Sequence, residues 1–342
     1  MNSKIIFSFD EIVQILLNEI TAHSQTFILC DENTNTHCVR ILIENVPGLE
    51  NAEIIEVPSG EESKCLQIVE QVDLELLERN ADRNALLLNV GGGVITDLGG
   101  VIAATYKRGI DFIHIPTSLM AQVDAAIGGK CAVDIGSSKN TFGVFQFAKE
   151  VLIYTPFLET LPEEERLSGF AEMLKHGIIS DATFWTALTH IDPKNISELA
   201  LFVERSVHIK NEIVKEDPTE KNSRKKLNYG HTVGHAIESF FLENNAPLSH
   251  GKAIAWGMQI ENNIAVSEQF MSQQTASEIN QYLQLHFGEP KKFTALEKET
   301  LISFMRNDKK NDKGNIQMSL VSEIGKCHIN CEIQEDLILQ SL

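Results

Sequence analysis

Two histidines stand four residues apart in the stretch NYGHTVGHAIE, at positions 231 and 235. Side chains at that spacing share one face of a helix. They could be a metal pair, a ligand beside a proton carrier, or two core histidines. Glu172 and His250 supply a carboxylate and a third imidazole, and three such ligands with an open position are typical of catalytic zinc. The spacing alone selects His231 and His235 as ligands, and the alternatives stay open at this point.

A glycine turn follows an apolar run in LLLNVGGGVITDLGG, residues 86–100. Glycines before a helix let phosphates approach backbone N–H groups at the helix N-terminus. The dinucleotide fingerprint would need a further glycine at position 96, where Thr96 stands. Asp97 could hydrogen-bond a cofactor or only complement the helix dipole. The turn predicts a phosphate-bearing cofactor, with a plain strand-to-helix turn as the alternative.

A glycine-punctuated stretch at 116–145 contains Asp124, Lys130, Lys139 and Asn140, and YKRG adds Arg108 upstream. Lysines beside glycine loops offer point charges to a phosphate or carboxylate. A single surface lysine is usually only solvated, so the grouping is what indicates an anion site.

The elements that must position these residues differ between the two halves of the chain. In the first half, apolar runs predict strands at 26–30, 52–57, 85–90, 111–116 and 151–155, with helices at 64–80 and 95–109. This alternation predicts a Rossmann-like, doubly wound parallel sheet. In the second half, helices are predicted at 163–180, 183–190, 195–216, 231–243, 251–270, 272–287 and 297–306, and the stretch 316–333 indicates a small hairpin. The expected fold class is α/β + α, with an α/β domain over 1–157 and an all-helical domain over 158–342.

The composition excludes several classes of protein. The 342 residues carry a net charge of −19, which would repel the phosphates of a nucleic acid. No apolar run approaches the roughly 20 residues of a membrane span, and Asp10 and Glu11 come too early for a secretory signal. The six cysteines form no CxxC pair, which favours free thiols in a reducing compartment. We therefore expect a cytoplasmic protein without a nucleic-acid or membrane partner.

Eight stretches resemble the 3-dehydroquinate synthase family of the sugar-phosphate cyclases, in that family's order and over about residues 31 to 313. They are GGGVITDLGG, YKRG, PTSLMAQVDAAIGGKCAVD, SKN, GFAEMLKHG, LNYGHTVGHAIE, HGKAIAWGM and DKKND. The resemblance implies an NAD-binding α/β domain, a helical metal- and substrate-binding domain, and a homodimer. It also implies one divalent metal ion, zinc, with cobalt as the alternative.

The family is a lyase of the shikimate pathway, which leads to chorismate and the aromatic amino acids. It converts 3-deoxy-D-arabino-heptulosonate 7-phosphate to 3-dehydroquinate and phosphate. The steps are a transient NAD-dependent oxidation, phosphate elimination, reduction and an intramolecular aldol closure. The resemblance implies the same reaction for this chain, with NAD restored in each cycle.

Carried over by position, the resemblance divides the work of the two histidines. It makes Glu172, His231 and His250 the metal ligands and His235 a general acid/base. The residues implied around the reacting hydroxyls are Asp124, Lys139, Lys175 and Asn228. The implied phosphate binders are Lys130, Asn140, one of Lys309 and Lys310, and an arginine from the neighbouring subunit, Arg108. The implied carboxylate binders are Lys210 and Arg224. The residues implied for the cofactor are Asp31, Asn33, Glu61, Lys64, Gly92, Gly93, Asp97, Thr117, Ser118, Lys130, Lys139, Thr160, Leu161 and Glu165.

Three alternative functions stay open. A related cyclase would act on sedoheptulose 7-phosphate or glucose 6-phosphate, which lack the carboxylate; Arg224, Asn228 and His235 together favour the carboxylate-bearing substrate. A metal-dependent polyol dehydrogenase of glycerol-dehydrogenase type would not need the cluster of cations. A catalytically inactive binding protein would not need Glu172, His231 and His250 intact.

Overall fold

The computed structural model describes residues 3–136, 138–306 and 316–342. The chain divides into two compact units, Met1–Pro162 and Glu163–Leu342. The sequence-based boundary, after residue 157, lies a few residues before this division. Within the described ranges, no helix is both long enough and apolar enough to cross a membrane.

The first unit is built on a parallel sheet. Its strands are β1 Lys4–Ile6, β2 Thr26–Asp31, β3 Glu53–Val57, β4 Leu86–Gly91, β5 Asp111–Pro116, β6 Lys130–Ile135, β7 Ser138–Phe145 and β8 Glu150–Leu152. Six of them form the sheet in the order β1-β8-β5-β4-β2-β3, and every pairing is parallel. The five strands predicted from apolar runs are confirmed. The sequence did not predict β1 or the antiparallel ribbon of β6 and β7.

Helices cover both faces of this sheet, which is why its strands are apolar on both sides. The helices are α1 Phe9–Ala22, α2 Glu32–Thr34, α3 Arg40–Asn45, α4 Leu66–Glu78 and α5 Gly93–Thr105. Phe27 and Leu87 lie in one buried cluster with residues of α4 and α5. Ile28 and Leu88 lie in another with residues of α1 and α3. The doubly wound arrangement predicted from the sequence is therefore confirmed.

The strand order creates a switch point between β2 and β4. These strands are neighbours, and the chain goes on from β2 to the adjacent β3 on one side and from β4 to the adjacent β5 on the other. In open α/β sheets, ligands bind outside the carboxyl ends of the strands at such a point. Asp31 and Asn33 lie at or just after the end of β2, and the glycine turn at 91–93 begins at the end of β4.

The described part of the second unit is helical apart from one hairpin. Its helices are α6 Glu163–Ser180, α7 Ala182–Leu188, α8 Ile196–Glu216, α9 His231–Glu243, α10 His250–Ser267, α11 Gln273–Phe287, α12 Ala295–Arg306 and α13 Glu335–Ser341. The strands β9 Ile316–Glu323 and β10 Lys326–Ile333 pair antiparallel. The hairpin indicated at 316–333 is thus present, so the description all-helical is too narrow for this unit.

Glycines bring α9 and α10 into close contact. A Cβ atom on Gly257 would lie 2.0 Å from the carbonyl oxygen of Gly230, and one on Gly234 would lie 2.8 Å from Cδ1 of Ile254. Gly230 also has a φ of +79°, a conformation that favours glycine. The two helices therefore meet backbone to backbone, and each begins at a histidine, His231 or His250.

Candidate functional site

The carboxylate of Glu172 is the centre of a cluster in the second unit. Its Oε2 forms an ion pair with Nζ of Lys175, one turn along α6. Its Oε1 lies 3.6 Å from Nε2 of His231 and 3.7 Å from Nε2 of His250. Glu172 and Lys175 are both fully buried. One oxygen thus holds the lysine while the other faces two imidazoles.

Hydrogen bonds orient both imidazole rings. Nδ1 of His231 lies 3.1 Å from the Tyr229 carbonyl oxygen, and Nδ1 of His250 lies 3.2 Å from Oε2 of Glu238. An oxygen acceptor at Nδ1 selects the tautomer that leaves Nε2 as the ligand atom, a common arrangement at metal sites. The two Nε2 atoms therefore point toward Glu172.

The charge around His250 favours a cation. Burial opposes the protonated form of the ring, but the carboxylates of Glu238 and Glu172 outweigh it and raise the pKa of His250 to about 10. Ligand atoms about 2.1 Å from a tetrahedral zinc ion would be about 3.4 Å apart. The distances from Glu172 to the two rings are close to this value, so the donor set fits a zinc-type ion.

His235 belongs to the same cluster. Its ring centre lies 5.0 Å from that of His231 and 5.8 Å from that of His250. The three histidines can each offer one ligand atom within 4.8 Å of the others. The geometry is thus compatible with three histidines or with Glu172, His231 and His250. The latter set remains a prediction from the resemblance, and so does the role of His235 as a proton carrier.

Two buried cations of the second unit are candidates for binding an anion. Lys210 and Arg224 are 5% and 1% exposed. Arg224 donates from Nη1 to the Pro218 carbonyl oxygen at 2.7 Å. The carboxylate of Asp217 shapes this loop by accepting the N–H groups of Lys221 and Asn222, at 3.0 and 2.6 Å. Although burial raises the pKa of Asp217, these donors lower it below its usual value.

The first unit contains a network of opposite charges at the carboxyl ends of its strands. Nζ of the buried Lys64 lies 2.6 Å from Oδ2 of Asp97 and donates to Oδ1 of Asn140 at 2.6 Å. Burial disfavours the charged amine, but Asp97 and Glu61 outweigh it and raise the pKa of Lys64. Lys139 donates to Oε1 of Glu61 at 2.6 Å. The structure thus joins five residues that the resemblance implies for cofactor or substrate.

The glycine turn lies next to this network along the chain. α5 begins at Gly93, with Gly92 as its N-cap, and the Thr117 N–H donates to the Gly91 carbonyl oxygen at 3.0 Å. A Cβ atom on Gly92 would lie 3.3 Å from Oγ of Ser118. No side chain of the described residues caps this helix N-terminus, an arrangement that suits a dinucleotide phosphate.

Other implied cofactor residues are less closely grouped. Oδ1 of Asp31 accepts the Thr34 N–H at 2.8 Å, so this carboxylate caps α2. Asn33 and Thr160 are exposed, and Leu161 is half-buried. Glu165 is exposed on the first turn of α6, in the second unit. The cofactor roles of these five residues stay predictions.

The remaining implied phosphate and substrate residues have varied surroundings. Arg108 is exposed and, like Lys107 before it, has a positive φ, at 71° and 47°. Such strain in a non-glycine pair is uncommon and often accompanies function. Lys130 is exposed at the start of β6, and Asp124 is half-buried. Lys309 and Lys310 lie outside the described residues.

Two carboxylates of the site were not singled out from the sequence. Glu238 contacts His250, and Oε1 of Glu220 accepts from the amide of Asn228 at 3.1 Å. Glu238 could have been found, because it closes NYGHTVGHAIE three residues after His235, on the same helix face. Glu220 lies in a polar loop, where no periodic pattern distinguishes it.

Sequence comparison gives a consistent result over nearly the whole chain. The family described as 3-dehydroquinate synthase N-terminal matches residues 54–168, and the one described as 3-dehydroquinate synthase C-terminal matches residues 169–311. A 3-dehydroquinate synthase of Parabacteroides distasonis is 39% identical over 322 residues, which cover 94% of this chain and 91% of the relative. One of Bacillus cytotoxicus is 36% identical over 330 residues, or 95% and 87%.

Solved structures of related enzymes have the same fold. A 2-deoxy-scyllo-inosose synthase, solved with carbaglucose-6-phosphate, NAD+ and Co2+, is 25% identical with a TM-score of 0.82, covering 99% of this chain and 95% of that one. A 2-epi-5-epi-valiolone synthase of Streptomyces hygroscopicus, with NAD+ and Zn2+ bound, is 21% identical with a TM-score of 0.83, covering 100% and 96%. A probable glycerol dehydrogenase of Sinorhizobium meliloti has a lower TM-score, 0.63, at 12% identity, covering 99% and 95%.

Proposed function

This chain belongs to the 3-dehydroquinate synthase family, and we propose that it converts 3-deoxy-D-arabino-heptulosonate 7-phosphate to 3-dehydroquinate and phosphate with the residues described above. The observation that carries the proposal is the arrangement at Glu172, where one oxygen faces Nε2 of His231 and Nε2 of His250 while the other holds Lys175. Such a cluster suits an enzyme that acts on an alcohol through a bound cation.

Glu172, His231 and His250 would hold the metal ion, which when bound polarises the hydroxyl that is oxidised. Lys64, Asp97 and the glycine turn are the core of the proposed NAD site. NAD supplies reversible hydride transfer when bound. The N-terminus of α5, which no described side chain caps, supports this role, because backbone N–H groups there can donate to the dinucleotide phosphates.

Positive charge would recognise the two anionic ends of the substrate. Lys210 and Arg224 bind the carboxylate in this proposal, because both are buried cations of the second unit. Lys130 and Asn140 bind the phosphate, together with one lysine of the pair at 309 and 310. A fixed guanidinium such as Arg224 suits a carboxylate because it can donate two parallel hydrogen bonds.

His235 would move the protons. Its imidazole is half-buried beside the two proposed ligand histidines, and histidine is the side chain that most often serves as a general acid/base. The reacting hydroxyls would be oriented by Lys175, Asn228 and Asp124. The carboxylates of Glu172 and Glu220 hold Lys175 and Asn228, respectively, and so position them before substrate binds.

We further propose a homodimer in which Arg108 of one subunit completes the phosphate site of the other. The exposed position of Arg108 and its left-handed backbone support this role. We also propose that the protein is located in the cytoplasm. All six cysteines are free thiols, and a reducing compartment keeps thiols in this form.

The test is an assay of the purified, metal-loaded protein with catalytic NAD. We expect phosphate and 3-dehydroquinate to form in equal amounts, without accumulation of NADH. Arg224→Met should raise KM for the carboxylate-bearing substrate, whereas Arg205→Met, which removes an ion pair with Asp181 in the same unit, should leave it unchanged.

Two outcomes would contradict the proposed reaction. Phosphate release from sedoheptulose 7-phosphate, with none from the heptulosonate phosphate, would identify a related cyclase instead. Net NADH formation with a polyol such as glycerol would identify a dehydrogenase. Size measurement in solution tests the dimer, and a mixture of Arg108→Ala subunits with inactive His235→Ala subunits would regain activity only if sites are shared.

A further inference from the structure

Glu261 is a fully buried carboxylate on α10 that the proposed reaction does not use. Its Oε2 accepts the Gly230 N–H at 2.6 Å and its Oε1 accepts the Val233 N–H at 3.3 Å. The first N–H groups of a helix lack partners within the helix, and a side chain at the N-cap usually accepts one of them. The N-cap of α9 is Gly230, which has no side chain. Glu261 therefore caps α9 from a neighbouring helix.

The next residue along α10, Asn262, holds the same segment through a second hydrogen bond. The Tyr229 hydroxyl donates to Oδ1 of Asn262 at 2.6 Å, and both residues are fully buried. Gly230 itself lies against Gly257 and Met258 of α10, with no space for a Cβ atom. The turn that leads into α9 is thus fixed to α10 by two side chains and by backbone contact.

This turn determines where His231 points. His231 is the first residue of α9, and its Nδ1 is held by the carbonyl oxygen of Tyr229. Its Nε2 lies 3.6 Å from Oε1 of Glu172. Because Tyr229 and Gly230 precede the ring directly, a rotation of the turn would move Nε2 away from Glu172. A metal site tolerates displacements of only about 0.5 Å.

We propose that Glu261 is a positioning residue for the metal site, acting on His231 through the turn at 229–233. The inference rests on the proposed function only in taking His231 and His250 as ligands. His250 is the first residue of α10, the helix that carries Glu261. One helix therefore supplies one ligand and fixes the backbone of a second, and the carboxylate adds negative charge at the N-terminus of α9, where the helix dipole favours it.

The test compares Glu261→Gln with wild type in a titration of the metal-free protein with Co2+ or Zn2+. Gln has the same shape but only one acceptor oxygen and no charge, so one N–H of α9 loses its acceptor. Loss of an outer contact of this kind typically weakens metal binding 10- to 100-fold. We expect Kd to rise by about that factor and the visible spectrum of bound Co2+ to change. Glu261→Asp keeps the charge and should recover part of the affinity.

Gln259→Met is the matched control. Gln259 is also buried on α10, but its amide donates to the carbonyl oxygens of Ala255 and Gly288 and not to α9. This variant should bind metal with the wild-type Kd even where its melting temperature falls. Circular dichroism confirms that each variant is folded before the titration.

The outcomes separate the inference from the proposed function. A wild-type protein that binds neither metal ion would contradict the metal site itself. A folded Glu261→Gln protein with wild-type Kd and an unchanged Co2+ spectrum would overturn the inference alone, because Glu261 would then serve only folding. Weakened binding in Gln259→Met as large as in Glu261→Gln would also overturn it.

Discussion

The choice between His235 and Glu172 as the third metal ligand can be decided by paired substitutions. Glu172 Oε1 lies 3.6 and 3.7 Å from Nε2 of His231 and His250, which is close to the spacing of ligands around one ion. This trio is complete without His235. We therefore expect His235→Ala to retain one metal ion per chain and Glu172→Gln to lose it.

The size of the catalytic effect follows from the role assigned to His235. Removing a general acid/base typically lowers the rate by about 10² to 10⁴, which corresponds to about 3–5 kcal/mol at 1.36 kcal/mol for each factor of ten. The half-buried position of the ring implies only a small loss of stability on truncation. The rate should thus fall in kcat, while the melting temperature falls only slightly.

Glu172→Gln needs a companion because it leaves the buried Lys175 without its carboxylate. An uncompensated buried charge costs about 3–5 kcal/mol, and the protein could lose its metal simply by unfolding. The double variant Glu172→Gln/Lys175→Met removes both charges and should fold while still failing to bind metal.

The assay measures metal content by atomic absorption after gel filtration, and phosphate release over time. A metal-free His235→Ala protein together with a metal-bound double variant would refute the assignment and identify three histidines as the ligands. Retention of full activity in His235→Ala would refute its role in proton transfer.

Three further predictions concern stability. Gly257→Ala places a Cβ atom 2.0 Å from the Gly230 carbonyl oxygen and should lower the free energy of unfolding by at least about 2 kcal/mol. The control Ser267→Ala, at the exposed end of α10, should leave it unchanged. Equal urea midpoints for the two variants would contradict this prediction. Burial raises the pKa of Asp73 to about 6, and its Oδ1 has no hydrogen-bond partner within the described chain. The folded state therefore holds the Asp73 proton more tightly than the unfolded state, so the free energy of unfolding falls as the pH rises from 4 to 6. In urea unfolding, Asp73→Asn should raise the free energy of unfolding by up to about 2 kcal/mol at pH 8 and by little at pH 4. A gain that does not depend on pH would contradict burial of the carboxylate as the cause. Zn2+ at 100 times its Kd should stabilise the metal-free protein by about 2.7 kcal/mol, or about 5–10 °C in melting temperature, and an equal shift with Mg2+ would argue against nitrogen ligands.

Strands buried on both faces could be predicted from sequence, because each is a short run of apolar residues. β1 was missed because three residues give too little pattern, and the ribbon of β6 and β7 because glycines interrupt it. The ribbon also lacks the alternation of buried apolar and exposed polar residues that usually identifies a strand, because Phe142 and Phe145 are exposed.

The site could be predicted only in part for a different reason. The spacing of His231 and His235 within one helix places them on one face, and the structure agrees. Spacing has no information about His250 or Glu172, which lie on other helices and approach only through packing. The role of Glu261 could not be predicted from local spacing either, because this residue lies 31 residues from Gly230, whose N–H it accepts.

The contact between α9 and α10 has a consequence for which substitutions this protein can accept in evolution. Because Gly230, Gly234 and Gly257 leave no gap that a side chain could fill, the distance between the start of α9 and residues 253–258 of α10 is set largely by main-chain atoms. Substitutions elsewhere in the unit can alter side-chain volumes without altering that distance. The three glycines therefore fix the separation of α9 and α10, while residues elsewhere in the unit can be substituted without changing it.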